Sequence, residues 1–108
     1  MLSQATPRFL AAIMILIACD AGARNHRDSR ARHEFERLHP CPSTGRCAGQ
    51  CPGYIIDHRI ALCVGGSDTP DNLRWQTFDA SRAKDAWECR KGWPAKLAEC
   101  ERTGCFVE

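Results

Sequence analysis

Apolar positions along this chain fall into short, separated groups rather than one long amphipathic repeat. The first and densest is FLAAIMILIA, Phe9 to Ala18, with no polar side chain in it. Behind it, Arg24 to Leu38 has neither Gly nor Pro, is rich in Arg, and has Ala31, Phe35 and Leu38 as its apolar positions. That composition predicts a helix; Phe35 and Leu38, three apart, share the face through which it docks. Two prolines and a glycine between His39 and Gly45 end the helix. An irregular loop then continues through Cys47, Gly49, Cys51, Pro52 and Gly53. Tyr54 to Leu62 crowds aromatic and β-branched residues and predicts a strand. Gly65-Gly66-Ser67-Asp68 and Thr69-Pro70-Asp71-Asn72 predict two consecutive turns, and the alternation in Leu73-Arg74-Trp75-Gln76 predicts a second, short strand. Phe78 to Lys91 has helical composition. Phe78, Arg82, Asp85 and Cys89 lie on one stripe, and Ala83, Ala86, Trp87 and Arg90 on another. Gly92 caps this helix and Pro94 prevents its continuation, with one more short helix expected over Pro94 to Arg102.

The order is strand, long turn, strand, helix. The expected fold class is therefore α+β: a small ββα core behind an N-terminal helix, with loops stapled by disulfides. The expected organisation is a leader over 1–23, a basic helix or arm over 24–40, the core domain over 41–92 and a C-terminal extension over 93–108. No internal repeat or low-complexity tract interrupts this plan.

Composition sharpens the picture in two places. The chain has 108 residues and eight cysteines, and its mean hydropathy is −0.40. A domain this short buries a modest fraction of its surface and commonly needs staples. The leader has the features of an export signal: Arg8 ahead of the apolar run, and Ala21-Gly22-Ala23 as a small-x-small cleavage site that leaves Arg24 as the new N-terminus. The run is too short for a stable span, which needs about 20 apolar residues, so no transmembrane anchor is expected in the mature chain. Leu16-Ile17-Ala18-Cys19 also resembles a bacterial lipobox, and lipidation of Cys19 is the alternative. Export, periplasmic or secreted, favours disulfides. Without Cys19 seven cysteines remain, an odd number. Three bridges are expected, with Cys41 to Cys51, and Cys89 to Cys100 or Cys105, as short-range candidates. No Cys-x-x-Cys pair occurs, so the usual spacing for structural zinc is missing.

Charge points more weakly. The formal net charge is +2 and the pI about 8.2, but six arginines (Arg24, Arg27, Arg30, Arg32, Arg37, Arg46) face only Asp28, Glu34 and Glu36 in the same stretch. Such an arm suits phosphates, and equally suits a solvated helix face.

The chemistry concentrates between Tyr54 and Lys84. Asp57-His58, Gly65-Gly66, Asn72-Leu73 and Lys84, at this spacing, resemble the motif of the HNH endonucleases of the ββα-metal superfamily. A wider likeness to small exported bacterial and phage-borne HNH proteins covers roughly Phe35 to Glu88, carried by Cys-Pro-Ser-Thr-Gly, Cys-Pro-Gly-Tyr, Leu-Arg-Trp-Gln-Thr and Ala-Lys-Asp. The resemblance implies metal-dependent hydrolysis of phosphodiester bonds in nucleic acid, DNA rather than RNA, leaving 5′-phosphate and 3′-hydroxyl ends. It implies a catalytic set of His58, Asn72 and Lys84, and a metal set of Asp57 with a residue of the motif helix. Arg59, Arg74, Arg82 and Lys84 are the candidate phosphate contacts.

Residue chemistry agrees with these roles. An imidazole is partly neutral near neutral pH, which suits His58 to general base work. Asp57 offers hard oxygen for Mg²⁺ or a similar divalent cation. Asn72 is expected to cross-link the long turn and hold His58, while Gly65 and Gly66 supply positive φ. Trp75 is expected in the core, and His26, His33 and His39 in solvent. Two departures stand out. The zinc-binding cysteines of many HNH proteins correspond here to Thr77 and Ala80, so structural zinc is not expected. The third motif position, His or Asn in the family, is Ser81, a poorer metal ligand; Asp79 or Asp85 on the same helix are substitutes. Two alternatives follow: a disulfide-stabilised nucleic-acid-binding module with weak or no cleavage, and a structural or interaction protein of the envelope. Adjacent residues on a regular strand face opposite ways, so Asp57 and His58 serve one site only if the strand end is distorted.

Overall fold

A computed structural model of the chain describes residues 29–108. The leader over 1–23, Cys19, His26 and the arm from Arg24 to Asp28 lie outside the described residues. Three helices and two strands follow in chain order: α1 (Arg30–Leu38), β1 (Tyr54–His58), β2 (Leu73–Thr77), α2 (Phe78–Asp85) and α3 (Trp93–Arg102). The fold is a small α+β unit. β1 and β2 form one antiparallel sheet with Tyr54 opposite Thr77, Ile56 opposite Trp75 and His58 opposite Leu73.

β1 is shorter than its sequence suggests. Its apolar run continues to Leu62, but the ladder stops because another partner takes the backbone. Arg59 N–H still reaches the Asn72 carbonyl at 2.7 Å. The N–H and C=O of Ile60, however, are both bonded by the Asn72 side chain. Leu62 to Val64 then forms a single 3-10 turn. The two glycines that follow have different reasons. Gly65 takes φ +91°. Gly66 does not, but a Cβ there would lie 1.9 Å from the Ile60 carbonyl oxygen, so close backbone approach demands glycine.

α2 is also shorter than expected, ending at Asp85 rather than Lys91. Thr77 caps its start, accepting from Ala80 N–H at 3.2 Å. Beyond Asp85 the chain tightens into turns, with Ala86, Trp87 and Arg90 each bonded three residues back. Cys89 is tied to Cys63 and Trp87 packs into the second apolar cluster, which together draw the chain off the helix path. Gly92, at φ +85°, is the N-cap of α3 and Pro94 lies in that helix's first turn. Pro94 thus begins a helix, where its missing N–H costs nothing.

Two thin cores result. Phe35, Cys41, Ile56, Leu73 and Trp75 form one, with Ala31, Cys51, Tyr54 and Val107 against it. Trp75 is in the core, as expected, and its indole N–H donates to the His39 carbonyl at 2.7 Å. α1 docks through Phe35, 3% exposed, but Leu38 is 55% exposed; Ala31, one turn back, supplies the contact expected of Leu38. The second core joins Leu97, Cys100 and Phe106 with Ile60, Trp87 and Trp93. Val107 N–H reaches the Trp75 carbonyl at 2.9 Å, so the C-terminal segment packs on the sheet rather than trailing from it. On α1, the Arg37 guanidinium beside Glu34 holds that carboxyl below its usual value, while burial pushes the Glu36 carboxyl up.

A fully buried Leu- or Phe-sized side chain contributes about 1.5–3 kcal/mol, so so few buried residues need help. Disulfides supply it: Cys41–Cys51, Cys63–Cys89 and Cys100–Cys105. The first joins the pair expected. Cys89, however, pairs with neither Cys100 nor Cys105. Those two close on each other across five residues, and Cys89 instead reaches back 26 residues to Cys63. Short sequence separation misled here, because α2 brings its far end beside the loop that follows β1. The three disulfides among the described residues fit a protein of an oxidising, extracellular compartment. Among the described residues no helix is long and apolar enough to cross a membrane.

Candidate functional site

The site is built where β1 ends against α2. Alternation along the strand puts Asp57 on the face away from the Ile56–Trp75 core, and α2, following β2 directly, lies over that face. Asp57 Oδ1 accepts the backbone N–H of His58 at 2.8 Å. Oδ2 accepts the Ser81 hydroxyl at 3.3 Å and faces the Lys84 ammonium at 3.5 Å. Ser81 and Lys84 are three apart on α2, hence on one face, and Lys84 is 1% exposed. Its ammonium also pairs with Glu88, one turn further on. The carboxylates of Asp57, Asp85 and Glu88 each bring an oxygen within 4.8 Å of one another. Asp57 and Glu88 thus share the one ammonium with Asp85 close by, and the three carboxylates outnumber it.

His58 belongs to a neighbouring arrangement. Its Nε2 lies 3.0 Å from Asp68 Oδ1, and it is not a member of the carboxylate cluster. Asn72, 7% exposed, spans the long turn. Its Oδ1 accepts from Ile60 N–H at 2.9 Å, and its Nδ2 donates to the Ile60 carbonyl at 2.9 Å and the Ser67 carbonyl at 2.7 Å. One side chain therefore fixes both ends of the loop that joins His58 to Asp68.

The candidate phosphate contacts divide. Lys84 is buried between carboxylates, so its charge is already neutralised and it has no surface to offer a phosphate; the structure makes it a counter-ion to Asp57 and Glu88. Arg59 pairs with Glu101 at 2.8 Å. Arg74 turns its guanidinium onto the Asp71 and Leu73 carbonyls, at 2.8 and 2.7 Å. Arg82 is exposed on α2, and Arg30, Arg32 and Arg37 are largely exposed on α1. Asp79 is exposed in the first turn of α2, outside the cluster.

Two residues of the arrangement carry no motif signal. Glu88 had a local one, since Lys84 and Glu88 are an i,i+4 pair of opposite charge. Asp68 had none, because it reads as an ordinary turn aspartate. A separate groove of about 650 Å³ lies on the other side of the sheet, between α1 and β2, lined by Phe35, Leu38, Leu73, Arg74 and Trp75 among others. Of the candidate residues only Arg74 borders it. Comparison with protein-family models, with curated proteins and with solved structures found no match.

Proposed function

We propose that this chain is an exported, metal-dependent endonuclease of the HNH type, hydrolysing phosphodiester bonds of nucleic acid. The observation that carries the reading is the meeting of Asp57 with the motif-helix residues Ser81 and Lys84, beside a His58 held by its own carboxylate. These are the positions whose spacing resembles the HNH motif, and they lie on the first of the two antiparallel strands and on the helix that follows the second.

The donor set fits a hard divalent cation. Asp57, Asp85 and Glu88 offer only oxygen, and Lys84 offsets only part of their charge. Asp57, Asp85 and Glu88 would hold Mg²⁺ or a similar ion, with the Ser81 hydroxyl orienting Asp57 rather than serving as a ligand. Such a cation, when bound, supplies Lewis-acid stabilisation of charge on the phosphate and the departing oxygen. His58 takes the proton of a water whose oxygen forms the new bond to phosphorus. The bond from phosphorus to the 3′ oxygen breaks, and that oxygen is protonated from solvent. In-line displacement puts the attacking and leaving oxygens on opposite sides of phosphorus. A base set apart from the carboxylate cluster suits that geometry. Asn72 keeps the His58 loop in place, and Arg82, exposed on α2, offers positive charge for the backbone.

One observation favours a second reading. Ser81 donates to Asp57 and Lys84 already sits between Asp57 and Glu88, so the site is internally paired. A binding module without turnover would look the same. Purified, oxidised protein incubated with supercoiled plasmid, single-stranded DNA or RNA, with Mg²⁺, Mn²⁺, Zn²⁺ or EDTA, separates the two. Cleavage that needs a divalent cation and is lost in His58→Ala supports the nuclease. Salt-sensitive DNA binding with no cleavage in any metal supports the module.

A further inference from the structure

The HNH resemblance assigns no role to Asp68, yet it is the residue that His58 touches. We propose that Asp68 is a positioning residue for His58, fixing which ring nitrogen carries the proton; the inference rests on reading His58 as the base. A carboxylate only accepts hydrogen bonds, so the Nε2 that lies 3.0 Å from Asp68 Oδ1 must be the protonated nitrogen. A neutral imidazole has one N–H, which leaves the lone pair on Nδ1. Nδ1 makes no hydrogen bond among the described residues, so it is the nitrogen free to take a proton from water.

Asp68 is half exposed, with its side chain at 52% against 18% for His58. An exposed ion pair is ordinarily worth little. The loop argues otherwise. On one side of Asp68, the Ser67 carbonyl accepts from Asn72 Nδ2 at 2.7 Å. On the other, the Thr69 carbonyl accepts from Asn72 N–H at 3.0 Å. The Ser67 and Thr69 hydroxyls are 2.8 Å apart, and Thr69 bonds onward to Asp71. The backbone is thus pinned on both flanks of Asp68, and the buried Asn72 does the pinning. The carboxylate is delivered to His58 by a fixed turn rather than by a mobile surface side chain.

The test pairs ring ¹⁵N NMR with cleavage kinetics in Asp68→Asn and Asp68→Ala. Wild type, at a pH where the ring is neutral, is expected to show His58 protonated on Nε2 and bare on Nδ1. Asp68→Asn keeps the shape but presents an N–H that can donate to Nε2 and trap the opposite tautomer. Where a buried carboxylate in a Ser-His-Asp triad is so changed, kcat falls about 10⁴-fold. With Asp68 half exposed, a fall of about 10- to 100-fold is expected, larger than in Asp68→Ala, where water replaces the carboxylate and Nε2 keeps its proton. Thermal stability and DNA binding should stay unchanged. A wild-type ring protonated on Nδ1 overturns the proposal, and so does Asp68→Asn cleaving at the wild-type rate while His58→Ala does not cleave. If wild type itself fails to cleave, the base reading falls. The ring spectra still decide whether Asp68 sets the tautomer, by its change or persistence in Asp68→Asn.

Discussion

Replacing Asn72 by aspartate changes one atom of the turn that carries His58 and Asp68. The shape is kept, and so is the oxygen that accepts from Ile60 N–H. The Nδ2 that donates to the Ile60 and Ser67 carbonyls, at 2.9 and 2.7 Å, becomes a second oxygen facing two oxygens. Each lost bond removes about 1 kcal/mol, and an acceptor left unpaired in a buried place costs about 1–3 kcal/mol more. Asn72 is 7% exposed, so water offers little relief, and a loss of about 3–5 kcal/mol follows. Against a total of roughly 5–15 kcal/mol for a small domain, that is a large share. At about 4–8 °C per kcal/mol for a chain of this size, Tm should fall by at least ~12 °C. The sign of the pH dependence is fixed too. The introduced carboxyl is favoured in its protonated form, which regains one donor, so its folded pKa is raised. The deficit should therefore be smallest in acid and grow as pH rises through that value. Thermal unfolding followed by circular dichroism, under oxidising conditions and at acid and neutral pH, reads both effects. A Tm within about 3 °C of wild type at neutral pH, where roughly 4 °C is expected per kcal/mol, would refute the claim that this amide holds the turn.

Three further outcomes follow from the same contacts. Lys84→Met leaves Asp57 and Glu88 without their counter-ion and should cost about 2–4 kcal/mol, somewhat below a fully buried pair because those carboxylates are 18% and 17% exposed. Mg²⁺ should raise the variant's Tm more than the wild type's, read by thermal unfolding with and without EDTA. Removing the Cys63–Cys89 bridge by a double alanine substitution opens a 26-residue separation, for which chain entropy predicts a loss of about 3.5 kcal/mol, measurable by denaturant unfolding. Gly66→Ala forces a Cβ onto the Ile60 carbonyl and should destabilise by about 3 kcal/mol or more, whereas Gly65→Ala costs only the strain of its positive φ, about 1 kcal/mol.

Much of the fold was legible in the sequence because its punctuation is strong. Turn residues at Gly65 to Asn72 separate two short apolar runs, and the run after Trp75 has helical composition. The ends of the elements were not legible, since tertiary partners set them. β1 stops where a side chain twelve residues away takes its backbone groups, and α2 stops where a disulfide tethers Cys89. The bridge from Cys89 to Cys63 was hidden for the same reason, as proximity in the fold replaced proximity in the chain. Within the site, spacing singled out Asp57, Ser81 and Lys84, which do meet. It read Lys84 as a surface cation, because no pattern in the sequence shows that α2 turns that side chain inward against two acids. Asp68 carries no helical or strand periodicity, and only the path of the loop shows that it faces His58.

The proposed nuclease stands or falls on His58 abstracting a proton in phosphodiester hydrolysis. The most direct measurement is the Mg²⁺-dependent rate of plasmid cleavage by oxidised wild-type protein against His58→Ala, with equal folding confirmed by Tm. Nicking and linearisation that EDTA stops are expected, with a rate about 10²- to 10⁴-fold lower in the variant. Equal rates in the two proteins, or no cleavage by wild type with any divalent cation, would contradict it.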